Sequence, residues 1–226
     1  MPTCRLALSA LLGLTACTAV AGNANLPNPA YDSPKATTHG TETAVLAGGC
    51  FWGMQSVFEH VRGVRQVWAG YSGGDAATAH YDDVSEGNTG HAESVEIQFD
   101  PAVISYGQLL KVYFAVAHDP TELNRQGPDA GTQYRSEIFY ATPQQEKIAQ
   151  DYIAQLTAAK VFDASIVTLV QPLKAFYPAE SYHQDYARLH PDDAYIVIND
   201  APKVAQLKQL FPALYQPEQM VVDVKL

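Results

Sequence analysis

The chain has 226 residues, of which 47% are hydrophobic and 17% charged, and its formal net charge is −10. That balance excludes wholesale disorder and supplies enough apolar material for one substantial core. With no Lys/Arg block anywhere, it also excludes a basic nucleic-acid groove and a polybasic membrane face.

The N-terminus reads as an address. Arg5 precedes the apolar run Leu6–Ala16, too short for a bilayer-spanning helix of about 20 residues but suited to an export signal. Two cleavage points compete. Leu14-Thr15-Ala16-Cys17 has the form of a bacterial lipobox, which would make Cys17 the lipidated first residue, whereas Ala19-Val20-Ala21 has the small-x-small form of ordinary signal cleavage. Residues 1–21 are therefore assigned to a signal, and the mature protein to the bacterial periplasm or, lipid-anchored, to a membrane. Residues 22–40, rich in Asn, Pro, Ala, Ser and Thr, read as a flexible tether. Residues 41–226 are left for the domain that carries the chemistry.

From Glu42 onward strands and helices interleave. Thr43–Ala47 is a short strand closed by Gly48-Gly49, and Cys50 to Val61 carries apolar residues at helical spacing. Val64–Tyr71 is a second strand, ending in Ser72-Gly73-Gly74, and Asp75–His91 is loop-like. Glu93–Phe99 alternates, with Val95, Ile97 and Phe99 on one side, and Ser105 is a plausible cap for a helix over Tyr106–Ala117. A polar loop over His118–Gln133 leads to a strand over Arg135–Ala141, and Pro143 opens a helix to about Ala159. Ile166–Val170 reads as a strand, Ala179–Leu189 as helical, Tyr195–Ile198 as extended and Pro202–Leu210 as a last helix. The expected fold class is α/β, an α+β two-layer sandwich with a mixed sheet. Its β-α-β, β-α-β order is compatible with a ferredoxin-like core plus extra helices and long loops.

The cysteine count is informative. Cys4, Cys17 and Cys50 are the only cysteines, and the first two are removed with the signal or, for Cys17, lipidated. Cys50 is left as the one free thiol of an exported domain, where paired cysteines or none are the rule. A strand, two glycines and a cysteine opening a helix form an arrangement with chemical meaning. The glycines permit a tight turn, and the unpaired N–H groups of the first helical turn favour a thiolate. A small buried hydrophobe is the competing reading of Cys50. Phe51 and Trp52 beside it fit either a core or the wall of an apolar pocket.

The run Gly48-Gly49-Cys50-Phe51-Trp52-Gly53 resembles the signature of the methionine sulfoxide reductase A family. The resemblance continues through Gly70-Tyr71-Ser72-Gly73-Gly74, Tyr81, Gly87, Thr89-Gly90-His91-Ala92-Glu93 and His118-Asp119-Pro120-Thr121. It extends to Leu123–Gly127, Asp129–Ser136 and Ala179-Glu180-Ser181-Tyr182-His183-Gln184, spanning about Thr43 to Phe211. The resemblance implies reduction of free and peptide-bound methionine (S)-S-oxide, a repair of oxidised proteins. It implies that Cys50 attacks the sulfoxide sulfur and becomes a sulfenic acid while Glu93 supplies the proton. Such a role requires Glu93 to have a raised pKa, for which partial burial is the expected cause. It further implies Tyr81 and Tyr134 as hydrogen-bond partners of the sulfoxide oxygen. Asp129 would hold the polar side of the site, and Phe51 and Trp52 would enclose the S-methyl group. Pro128 stands where the family more usually has a small polar residue.

His91, His118 and His183, with Asp119, Asp185 and Glu93 nearby, have the residue types of a metal site but no compact ligand spacing, so no metal is expected. Cys50 paired with a histidine would suit an acyl-transfer or hydrolase mechanism, the rival enzyme class. A lipoprotein that binds methionine-containing peptides without turnover is the non-enzymatic rival. Many relatives carry further cysteines near the C-terminus, but Phe211–Leu226 contains none. No bound cofactor is expected. Cys50 should instead be regenerated by an external thiol, from a thioredoxin-like protein or a small dithiol, through a mixed disulfide.

Overall fold

The computed structural model describes residues 26–217. The sheet elements are β1 (Glu42–Gly48), β2 (Val64–Ser72), β3 (Ala92–Phe99), β4 (Arg125–Gln126), β5 (Asp129–Ala130), β6 (Ser136–Tyr140), β7 (Leu169–Pro172) and β8 (Phe176–Pro178). The helices are α1 (Phe51–Glu59), α2 (Tyr81–Ser85), α3 (Tyr106–Val112), α4 (Pro143–Ala158), α5 (Tyr186–Leu189) and α6 (Ala201–Leu210).

Six strands form one mixed sheet in the order β7-β6-β1-β3-β2-β8, and β4 pairs with β5 in a separate two-stranded ribbon. Within the sheet only β6 and β7 pair in parallel. The inner strands β6-β1-β3-β2, linked by crossovers through α1 and through α3, have the order and antiparallel pairing of a ferredoxin-like core. This matches the architecture expected from the chain order.

Strand alternation sorts the side chains into two layers. Ala44, Leu46, Val67, Ala69, Val95, Ile97 and Phe99 join the main core with residues of α1, α3 and α4. Val45, Ala47, Ala92 and Phe139 form a smaller cluster, packed by Leu173 and Phe176. Position 93 falls in phase with 95, 97 and 99, so the same alternation puts the Glu93 carboxyl on the core side.

Helix starts follow local chemistry. Ser105 caps α3 in a complete capping box with Gln108, and Thr142 with Pro143 opens α4. Beyond Val112, α3 continues as a wider turn over Tyr113–Ala117.

Several expectations are corrected. Tyr195–Ile198 is not extended but belongs to a helical stretch, with a wide turn over Ile196–Asp200 that runs into α6. The Asp193 side chain and carbonyl take the backbone N–H groups of Tyr195 and Val197, which starts that turn. Ile196 is buried, whereas Val197 and Ile198 are exposed, so this β-branched run lacks the burial of a core strand. The strand expected at Ile166–Val170 lies at Leu169–Pro172, and β8 was not expected. The helix expected over Ala179–Leu189 is broken at Asp185, whose φ of 54° is left-handed, between a short 3-10 turn and α5.

Residues 26–40, expected as part of a tether, lie along the domain instead. Leu26 is buried, the Tyr152 hydroxyl donates to the Pro27 carbonyl at 2.8 Å, and Asp32 accepts from Ser105 Oγ at 2.5 Å and the Gly107 N–H at 2.8 Å. The signal, both cleavage points and the lipidation proposed for Cys17 lie outside the described residues.

Candidate active site

The site begins at the elbow between β1 and α1. Gly49 has a φ of 90°, which L-residues with a Cβ adopt rarely, and a Cβ there would come within 2.6 Å of the Gln126 side chain. The elbow delivers half-buried Cys50 as the N-cap of α1.

Glu93 lies directly beneath this helix start. It is buried, and one carboxyl oxygen accepts from the Phe51 N–H at 3.0 Å. Burial, reinforced by Asp129 and Asp200, pushes its pKa up to about 8, although the Phe51 N–H opposes the shift. Glu93 is therefore a neutral acid at neutral pH, as its expected role requires.

The electrostatics of Cys50 differ from expectation. The helix start was expected to favour the thiolate, but burial followed by the Glu93 and Asp200 carboxyls pushes the thiol well above its usual range. The Trp52 backbone N–H and Lys203 pull the other way without reversing the result. The first physical reason is burial, which penalises the charged thiolate, and the second is competition at the helix start. A carboxyl already occupies the Phe51 N–H, and the Trp52 N–H is left to act on the sulfur. At rest the proton stays on Cys50.

The aromatic wall is built from distant segments. Phe51 is fully buried, with its ring centroid 5.8 Å from that of Tyr71 and 5.0 Å from that of His183. Half-buried Trp52 stacks on Tyr186 at 3.8 Å and donates its indole N–H to His183 Nδ1 at 3.2 Å. Tyr81 lies against the His183 ring, and its backbone N–H is held by Glu180 at 2.9 Å. The Tyr134 hydroxyl is pushed up first by burial and then by Glu93, Asp129 and Cys50. Burial also raises Tyr81 first, followed by Glu93, Cys50, Tyr182 and Asp129. The structure thus brings Cys50, Phe51, Trp52, Tyr81, Glu93, Asp129 and Tyr134 to one place.

The histidines do other work. His118 is buried between the Tyr113 carbonyl at 3.0 Å and Ser136 Oγ at 2.7 Å, and burial drives its pKa down to about 3. His91 accepts from the Gly74 N–H at 3.2 Å, and His183 accepts from Trp52. Among the described residues no group of three His, Cys, Asp or Glu side chains is placed to hold a metal ion.

Three residues near Cys50 escaped the sequence reading: Tyr195, Asp200 and Lys203. The Tyr195 hydroxyl donates to the Asp129 carboxylate. Asp200 is buried and pairs with Lys203 at 3.2 Å. A Cβ at Gly53 would come 2.1 Å from Asp200 Oδ1, so this glycine is the space in which the carboxylate sits. The i,i+3 spacing of Asp200 and Lys203 ahead of an apolar periodicity was a local signal, masked by reading the preceding residues as a strand.

Residues 42–214 match the family described as peptide methionine sulfoxide reductase. The chain is 60% identical over 183 residues to peptide methionine sulfoxide reductase MsrA 2 of Mesorhizobium japonicum, covering 81% of this chain and 94% of the relative. It is 54% identical over 188 residues to the protein of the same name from Synechocystis, covering 82% and 88%. Methionine sulfoxide reductase A of Corynebacterium diphtheriae is similar in structure, with a TM-score of 0.58 and 37% identity over 69% of this chain and 77% of that one. Mxr1 of Saccharomyces cerevisiae in its reduced form has a TM-score of 0.60 and 31% identity over 69% and 92%.

Proposed function

The chain belongs to the peptide methionine sulfoxide reductase family, and from that premise we propose how its residues reduce methionine sulfoxide. The observation that carries the reading is a buried Glu93 carboxyl that accepts from the Phe51 N–H at 3.0 Å at the start of the helix that Cys50 caps, where burial pushes its pKa up to about 8.

Sulfoxide oxygen is a poor leaving group until it is protonated. Glu93 delivers its proton to that oxygen while the Cys50 sulfur bonds to the sulfoxide sulfur and the thiol proton returns to the Glu93 carboxylate. The hydroxyl then passes to the Cys50 sulfur as the bond between the two sulfurs breaks and the thioether leaves. The net change is Cys50 thiol plus sulfoxide to Cys50 sulfenic acid plus thioether. The Tyr81 and Tyr134 hydroxyls, both held in their neutral donor form, stabilise charge developing on the oxygen. Trp52 and Phe51 face the methyl group, and their fixed rings select the S epimer. Asp129, tied to Tyr195, anchors the polar side.

Regeneration comes from outside. Cys50 is the only free cysteine among the described residues, and the sequence has none after it. The reductant is accordingly a thioredoxin-like protein or a small dithiol, acting through a mixed disulfide. The N-terminal segment supports export, with Cys17 as the candidate lipid anchor. Mass spectrometry of the mature protein tests this, and a free N-terminus at Gly22 would exclude the anchor.

The catalytic reading is tested with separated S and R epimers of a methionine sulfoxide peptide. Wild type should reduce the S form with consumption of thiol, and Cys50→Ser should not. Equal activity in both proteins, or reduction of the R form alone, would overturn it.

A further inference from the structure

Cys50 has a second face. A cavity of about 60 Å³ opens beside it, lined also by Gln126, Asp129, Tyr195, Asn199 and Lys203. None of Phe51, Trp52, Tyr81, Glu93 or Tyr134 lines this space. Of the residues assigned to the sulfoxide site only Cys50 and Asp129 line this space, so the cavity adjoins that site at Asp129 and is otherwise walled by other segments. About 60 Å³ is several times the ~10–15 Å³ that one water needs, room for a single sulfur atom.

Its cation is unusually placed. The Lys203 side chain is 19% exposed and Asp200 only 1%, and Gly53 leaves both pressed against the turn that Cys50 caps. An ammonium has three donors, of which Asp200 Oδ1 takes one. Asp200 Oδ2 is buried without a partner, so the pair is not a closed structural bridge. On the same wall the Asp129 carboxylate is already engaged by the Tyr195 hydroxyl.

We propose that this cavity receives the sulfur of the external thiol reductant, and that Lys203, held by Asp200, steadies it as a thiolate while it attacks oxidised Cys50. The proposal rests on the reductase reading above. After methionine leaves, the sulfenic oxygen lies on the Glu93 face, where the sulfoxide was bound. Displacement at sulfur runs in line, because the incoming lone pair must enter behind the bond that breaks. The thiolate consequently approaches from the cavity. A bond forms between the reductant sulfur and Cys50 as the sulfur–oxygen bond breaks, and the leaving hydroxide takes the Glu93 proton and departs as water. Cys50 is reduced and the reductant sulfur oxidised, giving a mixed disulfide. A second thiol then attacks the reductant's sulfur and releases Cys50. Solvent receives the proton lost by the first thiol and reprotonates Glu93.

The test separates the two halves of the cycle in the full protein. Methionine released from one equivalent of methionine sulfoxide without reductant gives the first rate. Decay of the sulfenic acid on adding dithiothreitol, read by chemical trapping and mass spectrometry, gives the second. Lys203→Met should lose roughly ten-fold more in the second rate than in the first, with Lys203→Arg recovering most of that loss. Asn199→Phe, which fills the cavity, should show the same split. Equal losses in both rates, or an unchanged second rate in both Lys203→Met and Asn199→Phe, would overturn the proposal. A wild-type protein that releases no methionine would overturn the reductase reading itself, and this proposal with it, a result distinct from either of those.

Discussion

Strand β3 has a carboxyl at each end, and the two behave in opposite ways. At one end Glu93 is buried with a single backbone N–H and no cation, and its pKa climbs to about 8. Just past the other end Asp100 is also buried from solvent, but Arg65 reaches it at 2.8 Å and His39 at 2.6 Å. Those partners hold the Asp100 carboxyl well below the usual carboxylate range. Burial alone therefore does not make a proton donor. A carboxyl that keeps its proton needs burial without a neutralising partner, and only the Glu93 end of this strand has that.

The comparison breaks most sharply at Glu93→Gln. This variant keeps the shape and should lower methionine sulfoxide reduction about 10²–10⁴-fold, measured as kcat/KM at neutral pH. Wild-type activity should fall as pH rises through about 8, where the acid ionises, and the residual activity of Glu93→Gln should lack that limb. Stability carries the same sign. The unfolded chain ionises near 4.5, well below the folded value of about 8, so the native state is progressively destabilised between them. Glu93→Gln should thus gain in Tm relative to wild type on going from pH 4 to about 8.

Still at the catalytic end, Gly53→Ala would drive a methyl to 2.1 Å from Asp200 Oδ1. It should cost about 1–3 kcal/mol in urea unfolding and lower activity, because Asp200 and Lys203 must move away from the turn that holds Cys50.

The far end predicts the reverse pattern, in which stability changes and catalysis does not. Arg65→Met should lower Tm at pH 7 while leaving kcat/KM unchanged. Asp100 has a depressed folded pKa, so its contribution is present above the ordinary carboxylate range and is lost as pH falls below it. The gap between Arg65→Met and wild type should then close in acid. The smallest effect belongs to Ser105→Ala, which removes the α3 cap beyond Asp100 and should cost about 1 kcal/mol without changing activity.

The turn at Cys50 was legible in the sequence because its signal is local. Gly48-Gly49-Cys50 marks a turn that only small residues allow, and Val95, Ile97 and Phe99 mark a buried strand face, whereas Glu93 was singled out through the family resemblance. What was misread lies in the C-terminal third. Ile196-Val197-Ile198 has the composition of a strand, and nothing local reveals that two of its three side chains face solvent. Asp185 broke an expected helix through a left-handed backbone that its neighbours do not announce.

Beyond the family resemblance, which pointed to Glu93 as the acid, sequence by itself determined the elements of the ferredoxin-like core, the turn that presents Cys50 and the number of cysteines. Each follows from backbone preference, side-chain periodicity or simple counting. Only the tertiary structure decided the charge state around Cys50 and the makeup of its second face. Those depend on Tyr195, Asp200 and Lys203, which no local periodicity places beside position 50. Electrostatic balance in a buried site is the sum of every charge within a few ångströms, whichever part of the chain supplies it.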